Sequence, residues 1–204
     1  MARIKAIALD AMGVIYTEGE DLWNLLAPFL SKHGCTQSDA EIHTLYVSCC
    51  LGEMTSQEFW KRAGCNWDGG ALEDDYLSRY ALTAGLMDFL KQMREMSIPV
   101  FCISNDIAEW AMKRRKAFGL EEYLTGWVIS GNVGFRKPDL GISQALAKVL
   151  PCHPHECVFV DDRSRNIEGG REIGFLPLLF SSKPEGAGYP VVSNFRDLKT
   201  LVFG

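Results

Sequence analysis

A chain of 204 residues, 47% hydrophobic and 23% charged, has material for one well-buried core, or for one core carrying an insertion. Its net charge of -5 gives no electrostatic reason to expect nucleic acid or an anionic membrane as a partner. No apolar run approaches the roughly 20 residues that cross a bilayer, and the first residues lack a signal peptide's apolar core, so a cytoplasmic location is expected.

In chain order the first element is IKAIALD, an apolar run that ends on Asp10 and continues Ala11-Met12-Gly13-Val14. From roughly Thr17 to Thr83 the pattern is helical throughout. Leu22, Leu25, Leu26, Phe29 and Leu30 make one apolar face that ends near Gly34, and Glu41 to Leu51 make a second helix. Thr55-Ser56-Gln57-Glu58 is a capping-box start for a third helix carrying Phe59 and Trp60, and Ala71 to Thr83 reads as a fourth. The expected organisation is an all-helical insertion, residues 17–83, in a core built from residues 1–16 and 84–204.

Beyond the insertion, strands and helices alternate. Leu86, Phe89, Leu90 and Met93 recur at helical spacing before the strand IPVFCIS. Asp106 followed by Glu109 predicts a capped helix with Ile107, Trp110, Ala111 and Phe118 available for its buried face. GWVIS, CVFVDD and FLPLLF are further strands, separated by the stripe Ile142, Ala145, Leu146, Val149 and by a helix near Gly169-Gly170. Several of these strands lack the polar alternation of a solvent face, as strands covered on both sides do. The fold class is therefore α/β, a doubly wound, Rossmann-like parallel sheet with right-handed crossovers.

Seven cysteines without CxxC pairing read as free thiols. PCHPHEC gathers Cys152, His153, His155 and Cys157, but its prolines and short spacing make it a loop leading into a strand rather than a metal centre, with Cys157 a small buried residue.

Ligands of an open α/β sheet bind outside the carboxyl ends of its strands. There the chain places Asp10, then Ser104-Asn105, then Asp161-Asp162, with Lys137-Pro138 before the helix that precedes the last pair. Each has a mundane reading: a strand-end Asp is often a turn residue, Ser-Asn-Asp a helix cap, Lys-Pro a loop. Converging, they are more specific. Three close carboxylates need a positive charge nearby, and Mg²⁺ suits oxygen ligands shared with a phosphate. Asp10 is the candidate nucleophile, Ser104 a donor to a phosphoryl oxygen, and Lys137 a group that neutralises developing charge.

At these residues the chain resembles the haloacid dehalogenase-like (HAD) hydrolase superfamily: ALDAMGV, FCISND, GFRKPD and FVDDRSRN stand for its four motifs, in order. The resemblance covers nearly the whole chain, and the helical insertion falls where one branch carries its cap domain. It implies Asp10 as nucleophile and magnesium ligand, Ser104 as binder of the transferred group, and Lys137 as the group that steadies nucleophile and phosphate. Asp161, with Asp162 at or beside the metal shell, and the backbone carbonyl of Met12 would complete the ligands. Asn105 and Asn166 would be supporting polar groups, and the cap would select the substrate, a small phosphorylated metabolite.

One residue departs from the pattern. Phosphatases of the family usually read DxDG, and the second Asp serves as general acid and base; here it is Met12. Such a group is worth about 10²–10⁴-fold in rate, so a slow phosphatase is expected unless His33, His43, Glu18 or Glu20 reaches the site. Dehalogenases need no acid because halide leaves without a proton, but their fourth motif lacks the paired acids seen here. The phosphonate-cleaving branch uses a cap lysine, for which Lys32 and Lys61 are the candidates. A phosphometabolite-binding protein with lost turnover is the third reading. The cap aromatics Trp23, Trp60 and Trp67 read mainly as core, with stacking on a ligand as the alternative.

Overall fold

The computed structural model describes residues 4–182 and 188–204. Its centre is a parallel six-stranded sheet of β1 (Ala6–Leu9), β2 (Val100–Ser104), β3 (Gly126–Ile129), β4 (Cys157–Asp161), β5 (Leu176–Phe180) and β6 (Val191–Val192), in the order β3-β2-β1-β4-β5-β6. Every residue of β1, β2 and β4 is buried, which is why those segments read as unbroken apolar runs. The chain reverses direction across the sheet at β1, so the crevice expected of a doubly wound fold opens between the ends of β1, β2 and β4.

Between β1 and the next core helix come a π-helical turn (Leu22–Leu26), α1 (Ala27–Lys32), α2 (Asp39–Cys50), α3 (Ser56–Arg62) and α4 (Ala71–Leu77). The capping box at Thr55 and Glu58 forms as expected, and Ser38 with Glu41 makes a second one. Helix α4 stops at Leu77, short of the expected Thr83, where Tyr80 turns into the core and the chain pairs with its own entry: Thr17 N–H donates to Ala81 O at 3.0 Å, and Thr83 N–H to Ile15 O at 2.9 Å.

The remaining helices are α5 (Leu86–Glu95), α6 (Ala108–Ala117), the short α7 (Ser130–Val133), α8 (Leu140–Val149), α9 (Ser164–Ile173) and α10 (Phe195–Phe203). The four apolar positions read for α5 are all buried. In α8, Ile142 and Leu146 are buried, whereas Val149 is exposed at the helix end.

The Asp106–Glu109 cap is corrected. Helix α6 begins at Ala108 with no side-chain cap, because Asp106 is taken by a buried ion pair with Arg114, and Glu109 instead accepts from Ser56 N–H of α3 at 3.3 Å. Indoles and phenols from the insertion, Trp60 and Tyr76 among them, pack against Trp110 of α6 in one cluster. Glu73 lies buried within it, accepting from Trp60 Nε1 at 3.0 Å and Trp110 Nε1 at 2.8 Å.

All seven cysteines are free. The PCHPHEC segment is a loop as expected: Cys157 is buried at the start of β4, and His153 and His155 stack on each other, 5.4 Å between ring centres.

Candidate active site

The ends of β1 and β4 set two carboxylates side by side. Asp10 follows β1, Asp161 is the last residue of β4, and Asp162 comes next; oxygens of the three lie within 4.8 Å of one another, the sole such acidic, His or Cys cluster among the described residues. Lys137 reaches in from the loop before α8, its Nζ 2.6 Å from Asp10 Oδ1 and 2.7 Å from Asp161 Oδ2, and it donates to Ile103 O at 3.0 Å.

That ammonium is held in place from outside. Asn105 accepts from Lys137 N–H at 2.6 Å and donates to Lys137 O at 2.9 Å, so one amide clamps both backbone groups of the lysine. Asn166, one turn into α9, donates to both oxygens of Asp161, which also accepts from Arg163 N–H. Gly169 lets α9 approach the Lys137-Pro138 loop, because a Cβ there would stand 2.5 Å from Pro138 O.

Burial and like charge act together on the cluster. Burial first, then repulsion from Asp161, pushes the Asp10 carboxyl well above its ordinary value against the opposing pull of Lys137. Burial and Asp161 push Asp162 up to about 7. Burial opposes the charge of Lys137, but Asp10 and Asp161 outweigh it and raise the ammonium. Asp10 and Asp161 thus share one buried ammonium, with Asp162 beside them and 3.8 Å from Arg163 Nε, and the three carboxylates are a donor set that fits a hard divalent cation.

A test follows from the sign of the Asp162 shift. In the metal-free protein Asp162 keeps its proton up to about pH 7 when folded but loses it near 3.8 when unfolded, so the folded state binds more protons across that window. Its contribution to stability therefore falls as pH rises through the window. Thermal melts in EDTA are expected to show wild type losing ground to Asp162→Asn as pH rises from about 4 to 7, with Mg²⁺ reversing the loss. A difference that does not change with pH would remove the case for a strained carboxylate cluster.

Above the cluster lies a cleft of about 820 Å³, walled by core and insertion alike. Asp10, Asn105, Lys137, Asp162 and Asn166 line it, as does Met12, which is nearly buried. Asp161 is fully buried among its partners. Ser104 does not line the cleft: it is fully buried, and its Oγ has no hydrogen-bond partner.

Of the groups considered for the acid position, His43 and Glu20 reach the cleft wall. His33 does not; it stacks on Phe29, with its Nδ1 2.8 Å from Phe29 O. Glu18 is engaged with Glu20 N–H and Asn24. Lys32 and Lys61 are exposed and do not line the cleft.

Several lining residues had no role assigned from sequence. Arg163 bonds Gly19 O at 2.6 Å and Glu20 Oε1 at 3.0 Å, tying the β4 loop to the start of the insertion. Gly13 and Gly19 let backbone pass against Asp162, since a Cβ on either would stand under 3 Å from its Oδ2. Asp21 is buried in the cleft wall and accepts from Tyr80 OH at 3.0 Å and Tyr46 OH at 3.2 Å. Arg163 lies within FVDDRSRN and is the nearest to being legible in sequence; the signal for Asp21 is spatial.

The model of the haloacid dehalogenase-like hydrolases matches residues 4–174. The chain belongs to this family. Among curated relatives it is 27% identical over 105 residues to pyrophosphatase PpaX of Halalkalibacterium halodurans, covering 52% of this chain and 49% of that one. It is 26% identical over 119 residues to the chloroplast flavin mononucleotide hydrolase 1 of Arabidopsis thaliana, covering 58% and 48%. The chain thus spans about half the length of these two relatives. Its fold is shared with a HAD-family enzyme of Bacteroides thetaiotaomicron solved with magnesium and inorganic phosphate, at TM-score 0.75 and 18% identity, covering 91% of this chain and 98% of that one. Solved proteins named as a phosphatase and as an L-2-haloacid dehalogenase share it too, so the fold does not by itself choose the bond broken. No helix among the described residues is long and apolar enough to cross a membrane.

Proposed function

We propose that this HAD-family hydrolase is a magnesium-dependent phosphatase for a small phosphorylated metabolite, working through an aspartyl-phosphate on Asp10. The observation that carries the reading is Lys137, bridging Asp10 and Asp161 inside a three-carboxylate cluster at the floor of a cleft. Asp10, Asp161, Asp162 and the carbonyl of Met12 would hold the ion, which when bound offsets their charge and that of the phosphoryl oxygens.

The chain's own residues supply the rest. Asp10 Oδ1 is occupied by Ala11 N–H and Lys137, each at 2.6 Å, so Oδ2 is the oxygen free to attack phosphorus. The phosphorus–oxygen bond to the leaving group breaks as the acyl phosphate forms. Water then attacks phosphorus, and Asp10 is released as carboxylate with inorganic phosphate. Lys137 offsets charge throughout. Ser104 lies fully buried outside the cleft lining, so a phosphoryl oxygen would have to come deeper than the cleft floor to bond its unpaired hydroxyl. The leaving oxygen must find a proton without help from Met12.

Phosphate release from a panel of monoesters, with and without Mg²⁺, tests this. Release that requires Mg²⁺ is expected, and Met12→Asp is expected to raise the rate about 10²-fold or more by restoring the acid. Absence of release from every ester would point to a binding protein. Met12 also favours displacement of halide from carbon, and halide released from a 2-haloacid without Mg²⁺ would establish that reading instead.

A further inference from the structure

The insertion's tryptophans meet different fates. Trp60 is fully buried with its N–H given to Glu73, and Trp67 is half-buried against the core. Trp23 keeps 40% of its surface exposed, and it lines the cleft that contains Asp10 and Lys137. His43, on α2, lines the same cleft with its ring within 8° of parallel to the indole, 6.1 Å between centres. Trp23 sits in the π-helical turn Leu22–Leu26, a rare departure from regular helix that is often found at functional sites.

The polar neighbours favour a flat ligand over a polyhydroxylated one. Of the lining carboxylates on the insertion's side, Asp21 has its Oδ2 committed to two tyrosines and Glu20 pairs with Arg163, which leaves both less free to read sugar hydroxyls beside Trp23. Arg136 and Arg165 line the same cleft and suit an anion.

We infer that Trp23 and His43 form an aromatic subsite that stacks on a planar ring system carried by the phosphate ester. The substrate class is then a nucleotide-like aromatic monophosphate rather than a sugar or polyol phosphate. The inference rests on the Asp10 site as the phosphate end of the cleft.

Calorimetric titration tests it, with Mg²⁺ present and with the Asp10→Asn protein so that ligand is not consumed. The probes are AMP and flavin mononucleotide as planar esters, with glycerol 3-phosphate and inorganic phosphate as references. At least one planar ester is expected to bind about tenfold or more tightly than glycerol 3-phosphate. Adding Trp23→Ala should abolish that advantage and leave inorganic phosphate binding unchanged, while Trp23→Phe keeps most of it. Equal binding of planar and polyol esters, or an advantage indifferent to Trp23→Ala, overturns the subsite. A wild-type chain that binds a planar ester through Trp23 yet releases no phosphate overturns the phosphatase reading and leaves the subsite standing.

Discussion

Asp10→Asn is expected to give a folded protein that releases phosphate about 10⁴–10⁶-fold more slowly than wild type, the size of effect seen when a nucleophile is removed. The substitution is nearly isosteric. The amide oxygen can still accept from Ala11 N–H and from Lys137, which are the two bonds now made by Asp10 Oδ1. What disappears is the negative oxygen that attacks phosphorus in the proposed reaction. Because burial and Asp161 already hold the Asp10 carboxyl well above its ordinary value, a neutral side chain removes strain, and the melting temperature of the metal-free variant at pH 8 should not fall. Single-turnover kinetics and a melt together decide it. A loss no larger than about 10²-fold, the scale of an auxiliary acid or base, would mean that another group is the nucleophile.

Lys137→Met is expected to destabilise the protein by about 3–5 kcal/mol, the scale of removing one partner from a buried ion pair. The ammonium is nearly inaccessible, and its loss leaves Asp10 and Asp161 facing each other with no buried cation between them. Urea unfolding of the metal-free protein measures the loss. The double variant Lys137→Met with Asp10→Asn should be more stable than Lys137→Met alone, because it removes one of the stranded charges. Strictly additive effects would show that Lys137 packs there without balancing charge, and the electrostatic account of the cluster would fail.

Strand positions were legible because a buried parallel sheet leaves little room for polar residues. IKAIALD, IPVFCIS, GWVIS, CVFVDD and FLPLLF all carry strands, whereas β6, two residues long, is too short to pattern. The site residues were legible for a related reason: charge at the end of an apolar strand is conspicuous, and Asp10, Asp161 and Asp162 do meet. Where a polar side chain finds its partner far along the chain, local pattern misleads. Asp106 looked like a helix cap, yet it bonds Arg114, a residue whose complete burial nothing in its neighbourhood announces. Asp21 is surrounded in sequence by acids and leucines, and its partners lie 25 and 59 residues away. The fates of Trp23, Trp60 and Trp67 likewise depend on which helix faces the crevice, which periodicity alone does not settle.

Glu73 sits where insertion and core interlock, its Oε2 shared between the indole of Trp60 from one side and that of Trp110 from the other. Peeling the insertion away would break the bonds of Glu73 to Trp110 and Lys113 of α6 and expose Trp60, Tyr76 and Trp110 together. The two parts should therefore melt as one cooperative unit, with indole fluorescence and backbone circular dichroism tracing the same curve. The same contact makes the aromatic cluster around Glu73 an anchor that any movement of the insertion must either carry along or break.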